Sequence, residues 1–433
     1  VQQTLIYIPS EIAGVKLFGM GWLLAVWVIF SAILLVRLIR RHGFSSETTS
    51  YLPILALVAA AIVWFMPMVE TDRGLPIRGY GVMLFAAVVC SVALATYRAR
   101  RMGVDPDIIY SLGFWIVVAG MVGARAFFVI QYWDEFQGKT IGETLTHIAN
   151  VSQGGLVVYG GVIAGGVATF LFLRRYQLPA LAICDLLAPS VALGMGLGRI
   201  GCFLNGCCYG GPADVAWAVK FPEGSPPYVR QLETGALSIE GVVMAAEGDA
   251  IIAEVEADSP AATAGVKAGQ TITRVGGRAV STAAQARAQL SDAFMDALAR
   301  DKKLTLSIAD QPRPISWRVV RQGRRSLPVH PTQLYSATTG ILLCLFLTAI
   351  YPFRRRDGEA LAWLMVLQPL GRFLLESIRI DEPGQFGTAL SISQWISLGL
   401  FAGGVGLWIY VNRRPAGSVL PMAPLNDNQQ LAA

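Results

Sequence analysis

The sequence predicts an all-α polytopic membrane protein, a bundle of about nine transmembrane helices carrying one small insert outside the bilayer. Three observations carry this. First, 54% of the 433 residues are hydrophobic and only 15% are charged, and the apolar ones gather in long runs. Roughly 20 apolar residues, each rising about 1.5 Å, cross the hydrocarbon, so such runs read as spans. Second, arginines gather at the exits of alternate runs. Third, the stretch from Ser238 to Val320 has no long apolar run at all.

The spans fall at 17–37, 51–69, 79–97, 107–131, 154–173, 181–199, 333–353, 359–378 and 390–411. The sixth and eighth are shorter, each meeting an arginine near its end. Arg37, Arg40 and Arg41 follow span one, and Arg98, Arg100 and Arg101 follow span three. Arg174 and Arg175 follow span five, Arg354 to Arg356 follow span seven, and Arg413 and Arg414 follow span nine. All these exits are odd-numbered, so the clusters lie on one side, which the positive-inside rule makes cytoplasmic. The N-terminus and the insert are then external and the C-terminus cytoplasmic. One missed helix would put later clusters on the wrong side, so their agreement supports the span count. The net charge of +6 is accounted for by these loops and calls for no nucleic-acid partner. The first run begins near Leu17, after Glu11 and Lys16 and without a basic region before it, so no cleavable signal peptide is expected.

The insert reads "IIAEVEADSPAATAGVKAGQTITRVGGRAVSTAAQARAQL". A short strand pattern is followed by Ser259-Pro260, Ala264-Gly265 and Gly269, then a strand and the turn Gly276-Gly277. This resembles a PDZ domain of the bacterial envelope type, with its "SPA…AG…GQ.I..V.G..V" string. The resemblance implies a small α+β or β module that takes an extended peptide by strand addition. The alternative is an external spacer.

Ionisable groups inside apolar spans are costly and usually face protein or water. Arg125, Arg199 and Arg372 lie in or at the outer ends of spans, with Arg379 just beyond. One such arginine is as easily a snorkelling anchor. Several on the external side, where positive charge is disfavoured, point to an anionic ligand. In "GRFLLESIRID", Arg372 and Glu376 are four apart and share a helix face, so Glu376 can aim the guanidinium. Arginine suits bidentate phosphate recognition. The glycines of "GGLVVYGG" around Tyr159 permit close approach of a backbone or a lipid. His330 opens "HPTQLYS" at the outer face; His42 and His147 have no evident partner.

"GGLVVYGG", "GRIGCFLNGCCYGGP", "HPTQLYSA" and "GRFLLESIRID", in that order, resemble the prolipoprotein diacylglyceryl transferase family. "RGYGVM" around Tyr80 and "GARAFFVI" around Arg125 fit the same pattern. The likeness covers about 77–212 and 328–412. It implies a seven-helix bundle with an external N-terminus, to which two N-terminal spans are added here. The implied reaction moves the sn-1,2-diacylglyceryl group of phosphatidylglycerol to the lipobox cysteine of a prolipoprotein, with release of glycerol phosphate. The implied catalytic set is Arg199, Arg372, Glu376, Tyr159 and His330. The implied substrate-binding set is Tyr80, Arg125, Gly160, Asn205, Gly210, Gln333 and Tyr335. No cofactor or metal is implied. The sequence departs from the family's pattern where Tyr159 stands in place of a histidine, Cys202 in place of an asparagine, and Cys207 in place of a glutamate. The base that takes the substrate thiol's proton is then Tyr159, Glu376, His330 or an arginine-held hydroxide. Cys202, Cys207 and Cys208 are open to three readings: packing residues, a disulfide from Cys202, or a metal site. Cys90, Cys184 and Cys344 sit in apolar runs and read as core.

The expected domains are 1–76, additional spans; 77–232 and 326–415, the two parts of the transferase core; 233–325, the PDZ-like insert; and 416–433, a disordered cytoplasmic tail. The implied setting is the bacterial inner membrane. Partners would be phosphatidylglycerol, prolipoproteins and a peptide or envelope protein on the insert, with no nucleic acid. Two rivals are a PDZ-bearing intramembrane protease and a non-catalytic scaffold or transporter. The chain has no His-Glu-x-x-His and no Gly-x-Ser-Gly-like site, which tells against the protease.

Overall fold

The computed structural model describes residues 3–43, 51–71, 74–137, 140–149, 155, 157–309, 311–319, 321–379, 384–385 and 387–421. The helices that matter here are α1 (Trp22–Arg40), α2 (Leu52–Val69), α3 (Gly79–Arg101), α4 (Pro106–Gln131), the short α5 (Ile141–Ala149) and α6 (Val158–Arg175). They continue as α7 (Ala180–Asn205), α8 (Pro226–Glu233), α9 (Ala283–Arg300), α10 (Thr332–Ile350), α11 (Glu359–Glu376) and α12 (Ile392–Asn412). Among the described residues, seven helices are long and apolar enough to cross a membrane: α1–α4, α7, α10 and α12. The other two expected spans correspond to α6 and α11, each 18 residues long. Charge is what sets them apart. The last turn of α6 is Arg174 and Arg175, and α11 holds Glu359, Arg372 and Glu376. Large apolar side chains such as Phe30, Phe85, Phe114 and Val122 are exposed along these helices, as a lipid-facing surface requires.

The chain forms two compact units. One takes in Gln3–Val191, Leu347–Leu361 and the chain from Tyr410 on. Within it, strand β1 (Thr4–Ile8) pairs antiparallel with β2 (Leu75–Arg78). In α2, Pro67 cannot donate a backbone hydrogen bond, and the preceding turn Ala61–Phe65 widens to a π-helix. Asp105 caps α4 by accepting from the Asp107 N–H at 2.9 Å. Helices α4 and α6 meet backbone to backbone, since a Cβ on Gly123 would stand 2.5 Å from the Gly160 oxygen.

This unit also holds a buried polar knot. Asp185 is fully buried and accepts the N–H groups of Gly358 and Leu361 at 2.7 and 2.8 Å, anchoring the start of α11. Arg98 and Arg354 each stack on the Tyr351 ring, at 4.2 and 3.7 Å. Arg354 also donates to Ser418 Oγ and to the Leu420 and Pro421 carbonyls. The start of the tail expected to be disordered is thereby tied down, because it supplies acceptors to a buried cation. Residues 422–433 lie outside the described residues.

The other unit takes in Ala192–Phe346 and Ala362–Ile409. Most of its non-helical chain is an α/β region. Strands β3 (Val242–Met244) and β4 (Ile252–Val255) pair antiparallel. Strands β5 (Ile272–Val275), β6 (Arg278–Ala279), β7 (Lys303–Ile308) and β8 (Ile315–Arg318) form an antiparallel sheet in the order β8-β7-β5-β6. Alternation along β7 buries Leu304, Leu306 and Ile308, and α9 covers them with Leu290, Phe294 and Ala297. Thr282 caps α9 by accepting from the Gln285 N–H, and Gln285 Oε1 accepts from Ser281 in return. Tyr228 and Leu232 of α8 join the same core, so the packed region begins before Ser238.

Candidate active site

Arg199 on α7 and Arg372 on α11 line one pocket, with Met195, Ser336, Gly340 and Leu375 among its walls. Small residues make this possible. A Cβ on Gly340 would stand 2.8 Å from the Gly196 Cα, so α7 and α10 approach closely just below Arg199.

Arg372 does pair with Glu376, as the four-residue spacing predicts: Nη2 to Oε2 is 2.8 Å. The same Nη2 donates to Ser393 Oγ of α12 at 3.1 Å, and Arg379 Nη1 reaches Glu376 Oε2 at 3.5 Å. Glu376 is 5% exposed and faces two guanidinium groups. Arg199 and Arg372 thus bring two guanidinium groups to one pocket. In a water-poor setting such a pair attracts an anion strongly. Glu376 orients the Arg372 guanidinium.

The Gly206–Gly211 loop after α7 is laced to the neighbouring helix ends. The Gly210 N–H donates to the His330 carbonyl at 2.9 Å, and the Gly211 N–H to the Ile378 carbonyl at 2.9 Å. Thr332 Oγ1 donates to the Cys208 carbonyl at 2.7 Å and Gln333 Nε2 to the Cys207 carbonyl at 2.8 Å. Gln333 is 0% exposed, and its amide nitrogen holds this loop. Asn205 is the last residue of α7 and half-buried.

His330 and Tyr335 belong to a chain that begins at Trp217. Trp217 Nε1 donates to the Tyr335 hydroxyl at 2.6 Å, and that hydroxyl lies 3.2 Å from His330 Nδ1. An indole N–H can only donate, so the Tyr335 hydroxyl accepts from Trp217, while the direction of its contact with His330 Nδ1 follows the imidazole tautomer.

The remaining expected residues lie in the other unit. Tyr80 is in the first turn of α3 and part-exposed. Tyr159 is in the first turn of α6 and half-buried. Gly160 is consumed by the α4–α6 approach, and a side chain there would collide with the Gly123 oxygen. Arg125 donates to the carbonyls of Ile148, His147 and Gly155 at 2.9, 3.0 and 3.1 Å. Its charge ends α5 and pins the segment after it; three backbone carbonyls occupy the face expected to meet substrate.

The three cysteines near the loop are all thiols, and their sulfur atoms lie within 4.8 Å of one another. The sequence reading had left their arrangement open. It also missed Trp217 and Ser393. Trp217 falls between recognisable strings, and its 62% exposure gives no burial signal. Ser393 has no local pattern that pairs it with Arg372.

The sequence profile of the family described as prolipoprotein diacylglyceryl transferase matches residues 67–410. A Rhodopirellula baltica protein named phosphatidylglycerol–prolipoprotein diacylglyceryl transferase is 33% identical over 99% of this chain and 92% of its own length. A Clostridium perfringens protein, named as the second such transferase, is 24% identical over 77% of this chain and 91% of its length. A Trichormus variabilis protein of the same name is 32% identical, but the match covers 39% of this chain and 58% of that protein. The profile takes in both halves of the arginine pocket and the loop laced above it, and this chain belongs to the prolipoprotein diacylglyceryl transferase family.

Proposed function

We propose that this protein transfers the sn-1,2-diacylglyceryl group from phosphatidylglycerol to the lipobox cysteine thiol of prolipoproteins. A thioether forms and glycerol phosphate leaves. The observation that carries the reading is the pocket shared by Arg199 and Arg372. Phosphatidylglycerol brings one negative charge on its phosphodiester. As the thiolate attacks the glyceryl carbon, the C–O bond to phosphate breaks and the leaving phosphate gains a second negative charge. Guanidinium groups fixed in advance stabilise that growing charge without reorganising. Glu376 and Ser393 aim Arg372. A thiol beside arginines ionises more readily, which favours the attacking form. The family resemblance assigns Asn205 and Tyr80 to the lipid and Tyr159 to the acceptor.

The reading extends to place and partners. Nine helices cross the bacterial inner membrane, α6 and α11 included, with the N-terminus and the α/β insert periplasmic and the C-terminus cytoplasmic. The insert is PDZ-like and holds the prolipoprotein chain, or another envelope protein, beside the site. Deleting residues 238–320 should raise KM for full-length prolipoprotein more than for a short lipobox peptide; an equal effect on both would make it a spacer.

The main test is transfer of radiolabelled diacylglyceryl from phosphatidylglycerol vesicles to a lipobox peptide by the purified chain. Wild-type protein should label the cysteine peptide and not its serine counterpart, and Arg372→Ala should not. Proteolysis of the peptide without labelling, or no reaction at all, would overturn the reading.

A further inference from the structure

Cys202, Cys207 and Cys208 are not consecutive neighbours in any regular element, yet their sulfur atoms converge to within 4.8 Å. Three features of the backbone bring this about. Cys202 lies one helical turn beyond Arg199 on α7, so both project from one face. The helix then stops at Asn205, and the chain doubles back. Cys208 is held at φ +59°, a left-handed conformation that a non-glycine residue seldom adopts without surrounding constraint. That constraint is the lacing by Thr332 and Gln333, whose side chains take the carbonyls of Cys208 and Cys207. The strained turn folds Cys208 back toward Cys202, and the fixed carbonyls keep it there.

We propose that Cys202, Cys207 and Cys208 bind Zn²⁺ as three thiolates, leaving a fourth position open beside the arginine pocket for the acceptor thiol. Thiolate sulfur is the donor type that selects zinc, and three protein ligands with one open position is the arrangement of a catalytic rather than a structural zinc. A disulfide needs two of these sulfurs and gives no reason for the third to converge.

The site deepens the transferase reading and rests on it for the identity of the fourth ligand. A lipobox thiol that binds zinc loses its proton to water and stays a nucleophile as a zinc thiolate. The S–C bond then forms as the C–O bond to phosphate breaks, and glycerol phosphate departs with that electron pair. Zn²⁺ neither gains nor loses an electron. The mechanism supplies a proton-free thiolate without a histidine at position 159.

The experiment uses the full chain in phosphatidylglycerol vesicles, reduced and handled without oxygen. Zn²⁺ should bind at one equivalent per chain and protect the Cys202–Cys208 segment from maleimide, as read by peptide mass; Cys208→Ser should lose both. Co²⁺ put in its place should show sulfur-to-metal charge transfer, and a lipobox peptide with cysteine, not serine, should shift that spectrum. Stripping the metal should lower transfer at least about tenfold, and Zn²⁺ should restore it. The proposal is overturned by negligible zinc uptake by the wild-type chain, by recovery of a disulfide in this segment, by a cobalt spectrum blind to the cysteine peptide, or by full transfer after stripping. Metal and peptide binding without any transfer would keep the site and retire the transferase reading.

Discussion

Arg98 and Arg354 stack on Tyr351, and Asp357 lies 4.0 Å from Arg354. Both arginines also donate to carbonyls: Leu186 for Arg98, and Tyr351, Leu420 and Pro421 for Arg354. Around the pocket the same residue type is used differently. Arg199 and Arg372 line a shared cavity, where Glu376 and Ser393 hold Arg372. The first set is balanced largely by the protein's own groups, whereas the second opens onto space that an anion can enter. Buried arginines by themselves therefore do not mark a site; arginines that share a cavity do.

Breaking the balanced set should cost folding. Arg354→Ala leaves buried acceptors and the Tyr351 face without their cation, a loss of about 3–5 kcal/mol for an uncompensated buried pair. Thermal unfolding in detergent should shift down sharply, while the folded fraction keeps its kcat. A normal melting curve with a lowered kcat would erase the distinction between the two sets.

Breaking the set that lines the pocket should cost chemistry. Arg372→Ala and Arg199→Ala should each lower kcat about a hundred- to a thousandfold, the usual loss for one fixed donor to a developing negative charge. Melting should change little. Arg372→Lys should recover only part of the rate, since an ammonium cannot serve Glu376 and a phosphate oxygen together as the planar fork does. Equal rates for the lysine and arginine forms would mean that charge, and not aim, is what matters.

How far the sequence revealed these two sets depends on the range of their contacts. Arg372 and Glu376 were readable as a pair because four residues along a helix is a local rule. Asp185 with Gly358, or Arg354 with Ser418, joins residues distant in the chain, and no periodicity announces them. Arg125's partners at Ile148, His147 and Gly155 are backbone carbonyls, which every residue has and no sequence pattern distinguishes. The cysteines were unreadable for a geometric reason: Cys208 at positive φ turns separated positions into one cluster. Span counting ran the other way. The arginine loops were consistent with nine crossings, while apolar length carries seven, because α6 and α11 are 18 residues long and their charges fall within that length.

A smaller effect should come from Trp217, whose indole N–H reaches the Tyr335 hydroxyl beside His330. Trp217→Phe removes that hydrogen bond, and losing one costs up to about tenfold in rate. Tyr335→Phe breaks the same chain, so the two losses should not add in the double variant. Additive losses would reduce Trp217 to a packing residue.

The smallest expected effect is in the α/β insert, where Glu240 is a buried acid with no excess of cation beside it, the reverse of Glu376. Burial raises its carboxyl above the ordinary range, with Arg324 pulling weakly the other way. The unfolded insert has an ordinary glutamate, so between the ordinary and the raised value the folded form binds the proton more tightly. Unfolding then releases a proton, and the insert's stability is fullest below this window and falls as pH rises through it. Glu223 shifts in the same direction by burial, so removing Glu240 removes only part of the slope. Hydrogen exchange of the β5 and β7 amides, corrected for intrinsic rate, should show protection declining as pH rises above the ordinary glutamate range in wild type and declining less in Glu240→Gln. Identical slopes would place the titrating group elsewhere. A steeper slope in the variant would mean that Glu240 is held ionised, and that the insert compensates its buried charge as the balanced arginine set does.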